Sequence, residues 1–292
     1  MAAGDISYYA GSLVERIVIA EALVALSDAN VMLPLVTSKG FDAANTISFP
    51  KWNLGTNKIT ASDVSQSDPG TDAAAVLIDS EKKTLTPARY NFYIPLFDDS
   101  TDSSEEGDIN VTLGRLGANA MGAKIDNLIC AKFDSFSASN DVGTSSVAIS
   151  VDNFFEAIAL LKTAGAMGTY RGVFDPRQIW GAYGLSNDLI TSQQFGGTPD
   201  KSNEMLTTGF IGSIAGIPIY TSRETTTATT ATKAGIFGDG ALAFGYVNPL
   251  IRFEPEREAK KQRTDYVFSP NMATDIYQSY NGCQVWTKTS AA

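Results

Sequence analysis

Three stretches of the sequence have residue types and spacings from which chemistry could be built. Gly238-Asp-Gly-Ala-Leu-Ala243 has the spacing of a dinucleotide-binding turn, where glycines let the backbone approach a pyrophosphate. It follows a strand-like segment. However, no strand–helix–strand unit surrounds it and Ala241–Val247 itself alternates like a strand, so a tight hairpin turn is the better reading. Ser80-Glu-Lys-Lys83 has the Ser-x-x-Lys spacing of acyl-transfer enzymes, but it sits in a polar hairpin with no sign of a closed pocket. Asp98, Asp99, Asp102, Glu105, Glu106 and Asp108 have the charge of a calcium loop. They lack its central glycine at the required place, so the run suits a solvated approach to the positive end of a helix. The sequence contains no histidine. That removes Ser-His-Asp and Cys-His nucleophile pairs, histidine bases and histidine metal ligands together. No paired acids stand out for the remaining carboxylate chemistry. The expectation is a protein without enzyme activity, with no catalytic residue, no metal and no cofactor.

Charge narrows the partners. The net charge is −10 over 292 residues, which argues against direct binding to nucleic acid or to an anionic membrane, since both need clustered lysine and arginine. The densest charged run is IRFEPEREAKKQR, Ile251–Arg263. Its mixed signs do not suit nucleic acid and do suit a complementary protein surface. No apolar run approaches the ~20 residues of a membrane span. Val14–Leu26 is interrupted by Glu15, Arg16 and Glu21 and is not followed by a small-residue cleavage pattern, so no signal peptide is expected. Cys130 and Cys283, far apart in sequence, read by default as two buried thiols, with a disulfide between them left open.

The elements that would position these residues are mixed. Asp108–Asp134 is the longest proline-free helical pattern, capped by Asp108. Its expected buried rows are Ile109, Leu113, Leu116, Ala120 and Ala123, then Ile125, Leu128, Ile129 and Phe133. Gly114, Gly117 and Gly122 each cost about 1 kcal/mol of helix propensity and make sense where another backbone packs close or the rod bends. A second helix is expected over Val151–Ala164, capped by Ser150 or Asp152, with Phe154, Phe155, Ile158 and Leu161 buried. Ile179–Ile190 reads as a third, short helix. Strands are expected at Thr46–Trp52 and at Ala88–Phe97, with a long polar excursion between them. A lone hairpin of that length is marginal in water and should lean on something else. Further strands are expected at Ala234–Phe237, Ala241–Val247, Tyr266–Phe268, Ala273–Tyr280 and Cys283–Thr287. Asn281-Gly282 is a hairpin signal between the last two, and Thr225–Thr232 reads as a surface loop. The class is α+β rather than a regular βαβ series.

The order of parts then carries a resemblance. An amphipathic arm precedes a strand, a long polar hairpin and a return strand. A spine-length helix follows the acidic run, then a mixed region containing GFIGSIAGIPIYTS, Gly209–Ser222, and KAGIFGDGALAFGY, Lys233–Tyr246. A charged turn and closing strands end the chain. This resembles the major capsid protein of tailed bacteriophages, whose fold is named after phage HK97. Gly212–Ile219, as G-x-x-x-G-x-P-I, and Ala241–Phe244, as A-L-A-F, are similar to phrases of that family.

The resemblance implies an HK97-like capsid fold. Residues 1–44 would be the N-terminal arm and 45–99 the extended E-loop with its flanking strands. Residues 100–170 would be a P-domain with the spine helix, 171–249 an A-domain, and 250–292 the P-domain's C-terminal strands. It implies self-assembly in pentamers and hexamers into an icosahedral head assembled in the host cytoplasm. Partners would be a scaffolding protein, a portal and a cement protein, with packaged DNA bound without sequence specificity and no membrane. Residues expected at subunit interfaces are Lys58, Lys82, Lys83, Arg89, Asp98, Asp99, Asp102, Glu105, Glu106, Arg257, Lys260, Lys261 and Arg263, the bases of the charged turn meeting acids of a neighbour. Some shells of the family join a lysine to an asparagine of a neighbour. No spacing selects Lys58, Lys82 or Lys83 as donor or Asn281 as acceptor, so non-covalent contacts are expected. The alternatives are an encapsulin, a related cellular shell with protein cargo, and a soluble ligand-binding domain. A carboxylate-based hydrolase is a more distant one.

Overall fold

A computed structural model describes residues 18–19, 22, 30–42, 45–52, 80–98, 109–166, 168–186, 212–228 and 230–290. In chain order these form β1 (Thr37–Phe41), β2 (Ile47–Trp52), β3 (Ser80–Leu85), β4 (Ala88–Arg89), β5 (Phe92–Phe97), α1 (Ile109–Cys130), β6 (Asp141–Val142) and α2 (Val151–Thr163). They continue with β7 (Arg171–Phe174), α3 (Pro176–Trp180), β8 (Ser213–Ile214), β9 (Ile217–Thr221), β10 (Thr226–Ala228), β11 (Ala231–Phe237) and β12 (Leu242–Val247). Last come β13 (Phe253–Glu258), β14 (Arg263–Phe268), β15 (Asn271–Ile276) and β16 (Gly282–Lys288). Among the described residues the strands make four sheets. Their orders are β1-β12-β15-β4, β6-β16-β11-β7-β9-β8 with β10 beside β11, β13-β14-β5, and β2-β3.

The long helix is present and ends at Cys130, before the expected Asp134. Phe133 opens a short 3-10 turn and remains fully buried. Its buried face is a run of doublets one turn apart: Leu113 with Gly114, Gly117 with Ala118, Met121 with Gly122, Ile125 with Asp126, and Ile129 with Cys130. This corrects the expected rows, because Leu116 is 55% exposed and Ala120 is exposed. The glycines on that face do permit close approach. A Cβ at Gly117 would lie 2.6 Å from Cζ of Phe268, whose ring stacks on Phe92 at 4.8 Å. Helix α1 thereby covers one face of the β13-β14-β5 sheet, where Phe253, Tyr266, Phe268, Phe92, Ile94 and Leu96 join the main core. Burying such aromatic faces is worth roughly 1.5–3 kcal/mol per side chain.

The seven-stranded sheet is a wall between two cores. In β11, Ala234 and Ile236 face the α2 side while Phe237 faces the α1 side; in β7, Phe174 and Val173 divide the same way. A strand buried on both faces reads as a continuous apolar run, as TKAGIF does. Gly235 is needed there, since its Cβ would sit 2.8 Å from the Phe133 ring. Helix α2 lies on the other side through Phe154, Ala157, Ile158 and Leu161, whereas Phe155 is 50% exposed, against expectation. Its start is held by a reciprocal cap: Asn153 N donates to Ser150 Oγ at 3.2 Å and Ser150 N donates to Asn153 Oδ1 at 3.1 Å. The third helix starts earlier than the expected Ile179–Ile190, at Pro176 with Asp175 as its cap, and stops at Trp180; Leu185 and Ser186 are helical again after the turn at Gly181–Gly184, and residues 187–190 lie outside the described residues.

Two turn readings are corrected. Asn281-Gly282 does not close a hairpin: β15 and β16 belong to different sheets, and Gly282 begins a strand that pairs with β11. Likewise β11 and β12, joined through Gly238–Gly240, lie in different sheets, so that turn is tight but makes no hairpin. Thr225–Thr232 is no surface loop. It contributes β10 and the start of β11, and Thr225 and Thr232 are buried, where Thr232 Oγ1 meets the hydroxyls of Thr227 and Thr289. The β-branched chemistry of threonine suits a half-buried strand, and local hydroxyl bonds satisfy what burial would strand.

Candidate functional site

The charged run folds as a hairpin. Strands β13 and β14 pair from Phe253↔Phe268 to Glu258↔Arg263, and β14 pairs on to β5 with Arg263 opposite Phe97. Most of its side chains are exposed, and its charges pair within the chain. Arg257 holds Asp98 in a two-pronged ion pair, with Nη2 to Oδ2 at 2.6 Å, and also reaches Thr264. The Arg257 hydrogen bond keeps the Asp98 carboxyl below the usual carboxylate range. Glu258 takes Lys261 at 2.8 Å and Arg263 at 2.9 Å, and its carboxyl is lowered first by Lys261 and then by Arg263. Arg263 also pairs with Asp265 at 3.1 Å, and Arg252 with Glu254 at 2.9 Å. Arg257 was expected to meet an acid of a neighbouring subunit; within the chain it pairs with Asp98. Lys260 stands exposed in the 3-10 turn Ala259–Lys261. Asp99, Asp102, Glu105, Glu106 and Lys58 lie outside the described residues.

The base of the polar excursion is the β2-β3 pair, registered from Ile47↔Leu85 to Trp52↔Ser80. It leans on the first sheet, as a marginal hairpin must. Ile47, Phe49 and Leu85 form a small core with Ala243, and a Cβ on Gly245 would come 2.8 Å from Ile47 Cδ1. Phe49 packs against Tyr277 at 5.9 Å, and the Tyr277 hydroxyl donates to the Pro50 carbonyl. Lys83 pairs with Asp275 of β15 at 2.7 Å, joined by Lys132 at 3.6 Å. At Asp275 burial works against ionisation, but the bonds from Lys83 and Ile276 N outweigh it and lower the carboxyl. Lys82 is exposed opposite Pro50, and Arg89 is exposed at the end of β4. Asn281 is 1% exposed and its amide donates to Asp239 O at 2.9 Å and Gln278 Oε1 at 2.6 Å.

Sequence reasoning missed a third constellation, the seat of residues 30–36. Asp126, 3% exposed on the apolar face of α1, accepts Val31 N at 3.1 Å on one oxygen and Met32 N at 3.0 Å on the other. Asn30 Nδ2 donates to Gly122 O at 3.3 Å, and Asn30 Oδ1 takes Leu33 N at 2.6 Å. At the far end Arg171 donates to Leu35 O at 3.2 Å and pairs with Asp239 at 2.8 Å. Burial pushes the Asp126 carboxyl above its ordinary range, with the two backbone bonds opposing and Glu224 adding. The signal was an acid falling in register with Met121, Ile125 and Ile129. Cys130 and Cys283 are buried free thiols. Burial raises both, Cys283 up to about 12. Their ionisation, and with it thiolate chemistry, is thereby suppressed. Among the described residues no helix is long and apolar enough to cross a membrane.

No family model matches the sequence, and no curated protein matches it. Solved structures do. The capsid of Ralstonia phage GP4 matches with a TM-score of 0.66 at 11% identity, covering 88% of each chain. The capsid of cyanophage P-SCSP1u matches at 0.63 and 14%, covering 90% of this chain and 89% of that one. The SrpI encapsulin of Synechococcus elongatus PCC 7942 matches at 0.62 and 12%, covering 89% and 88%. The chain has the HK97 capsid fold. At these identities the likeness is one of fold.

Proposed function

We propose that this chain is a shell subunit, the major capsid protein of a tailed phage, enclosing double-stranded DNA. The observation that carries the reading is the match to whole shell subunits, about nine-tenths of both chains in each direction. The geometry agrees with it. Charged side chains pair with one another, both cysteines are buried, and the base of the excursion rests on the first sheet through Ile47, Phe49 and Leu85. In this proposal residues 1–44 are the arm, 45–99 the E-loop, 100–170 and 250–292 the P-domain and 171–249 the A-domain. The seven-stranded sheet stitches the last three together, since β6, β16 and β7–β11 come from each. Subunits would close as pentamers and hexamers. Lys58, Lys82, Lys83, Arg89 and the charged hairpin would lie at their boundaries, with a scaffolding protein, a portal and a cement protein as partners and the finished head as location. No enzyme activity, cofactor or metal is proposed.

The likeness to the SrpI encapsulin supports a second reading, a cellular compartment around a protein cargo. Contents decide between them. Particles from producing cells are treated with nuclease, then opened. Protected double-stranded DNA supports the phage reading, and a co-purifying enzyme without DNA supports the compartment. A monomer or small oligomer under all conditions overturns both. Removing residues 57–78 should leave a soluble, folded subunit that closes no shells; normal particles would refute the role given to the excursion.

A further inference from the structure

We propose that Asp126 is a proton-sensitive latch that seats residues 30–35 on α1. The geometry is that of a strap fixed at two points. One is Asp126, whose two oxygens each take a backbone N–H of the strap, with Asn30 reaching across to Gly122 O beside it. The other is Arg171, which holds Leu35 O and is itself anchored to Asp239. Met32 and Leu35 are buried between the two points. The fixings differ in kind. One is a guanidinium and the other a carboxylate, and only a carboxylate loses its charge within the ordinary pH range.

Asp126 occupies a costly position for a charge. It is 3% exposed, on the helix that carries Met121, Ile125 and Ile129 into the main core. Among the described residues, the charged group that acts on it is Glu224, of like sign, from the turn after β9; Arg223 pairs with Glu224 at 3.1 Å but is largely in solvent. Cys130, one helical turn along, is a neutral thiol held by Ser222, and the strap itself brings no titratable side chain in residues 30–35. When the strap lifts, water reaches the carboxyl and it ionises at its ordinary value, about 4. The seated state therefore binds the proton more tightly than the lifted one, although the two N–H donors reduce the difference. Linkage then sets the sign: the seat is firmest below the ordinary carboxylate range and loosens as pH rises through the raised value. Arg171 would remain as the hinge. The inference concerns a single chain and stands apart from the shell reading.

The test is amide hydrogen exchange in the full-length chain from about pH 4 to about pH 8, corrected for intrinsic rates. Protection at Val31 and Met32 should fall with rising pH, by about tenfold for each unit by which Asp126 is raised. Asp126→Asn should flatten that step while leaving protection in β11 and β16 unchanged. Glu224→Gln, which keeps the carboxyl but removes its like-charged neighbour, should move the step to lower pH. The same profile in wild type and Asp126→Asn, protection that rises with pH, or a step unmoved by Glu224→Gln would overturn the latch.

Discussion

Leu116 and Ile125 belong to one helix and to opposite environments. Leu116 is 55% exposed, and Ile125 is 1% exposed in the main core. Leu116→Asp is therefore expected to change stability by no more than about 0.5 kcal/mol. Ile125→Ala should cost about 2–5 kcal/mol through lost contacts and a residual cavity. Urea denaturation of the two variants checks this, and a large loss at Leu116 with little at Ile125 would reverse the assignment. The reason Leu116 was legible only as "apolar at helical spacing" is physical. Three of the five buried doublets, Leu113–Gly114, Gly117–Ala118 and Met121–Gly122, pair a glycine with an apolar residue, and a glycine carries no hydrophobic signal although it occupies the face. Asp126 was hidden for the opposite reason: a carboxylate on an apolar face looks like an interruption until the backbone donors it serves are known.

At the scale of elements, local chemistry was readable wherever it acted locally. Ser150 as cap and a strand ending at Phe97 are both in place. What failed depended on which sheet a strand joins. Asn281-Gly282 has hairpin chemistry, yet its flanking strands diverge, because the pairing of β16 with β11 decides its path. The turn from β8 to β9 carries a misfit that makes a test. Ala215 has φ of 51° and Gly216 of 79°, a pair of positive values that asparagine and glycine adopt more readily than alanine. Ala215→Asn should stabilise the fold by about 0.5–1 kcal/mol and raise Tm; a lowered Tm would contradict the turn assignment. The β2-β3 pair offers a pH test. Asp275 has a lowered carboxyl, so its pairing with Lys83 adds stability above the unfolded carboxylate range and loses it as pH falls through the folded value. Lys83→Ala should cost about 0.2–1 kcal/mol at neutral pH, as half-exposed pairs do. That difference should vanish in acid; a cost that persists there would mean the pair is not what anchors the hairpin.

For the whole molecule, the arrangement of parts was more legible than any residue. The expected HK97-like fold, mixed α+β with one long helix, is the fold of solved shell subunits that match along nearly the full length. Contacts between subunits were not legible, because charge pairing can be met within a chain or between chains and composition does not distinguish them. Arg257 shows this: the expectation paired it with an acid of a neighbour, and within the chain it pairs with Asp98. Breaking the pair with Arg257→Glu should then weaken the hairpin itself only slightly, since solvent screens so exposed a pair. The central claim is that identical copies close into a shell, and imaging the purified protein by negative-stain electron microscopy tests it most directly. The account predicts closed, icosahedral particles of megadalton mass with fivefold and sixfold clusters of subunits. A uniform population of monomers or small oligomers, at high protein concentration and across salt conditions, would contradict it.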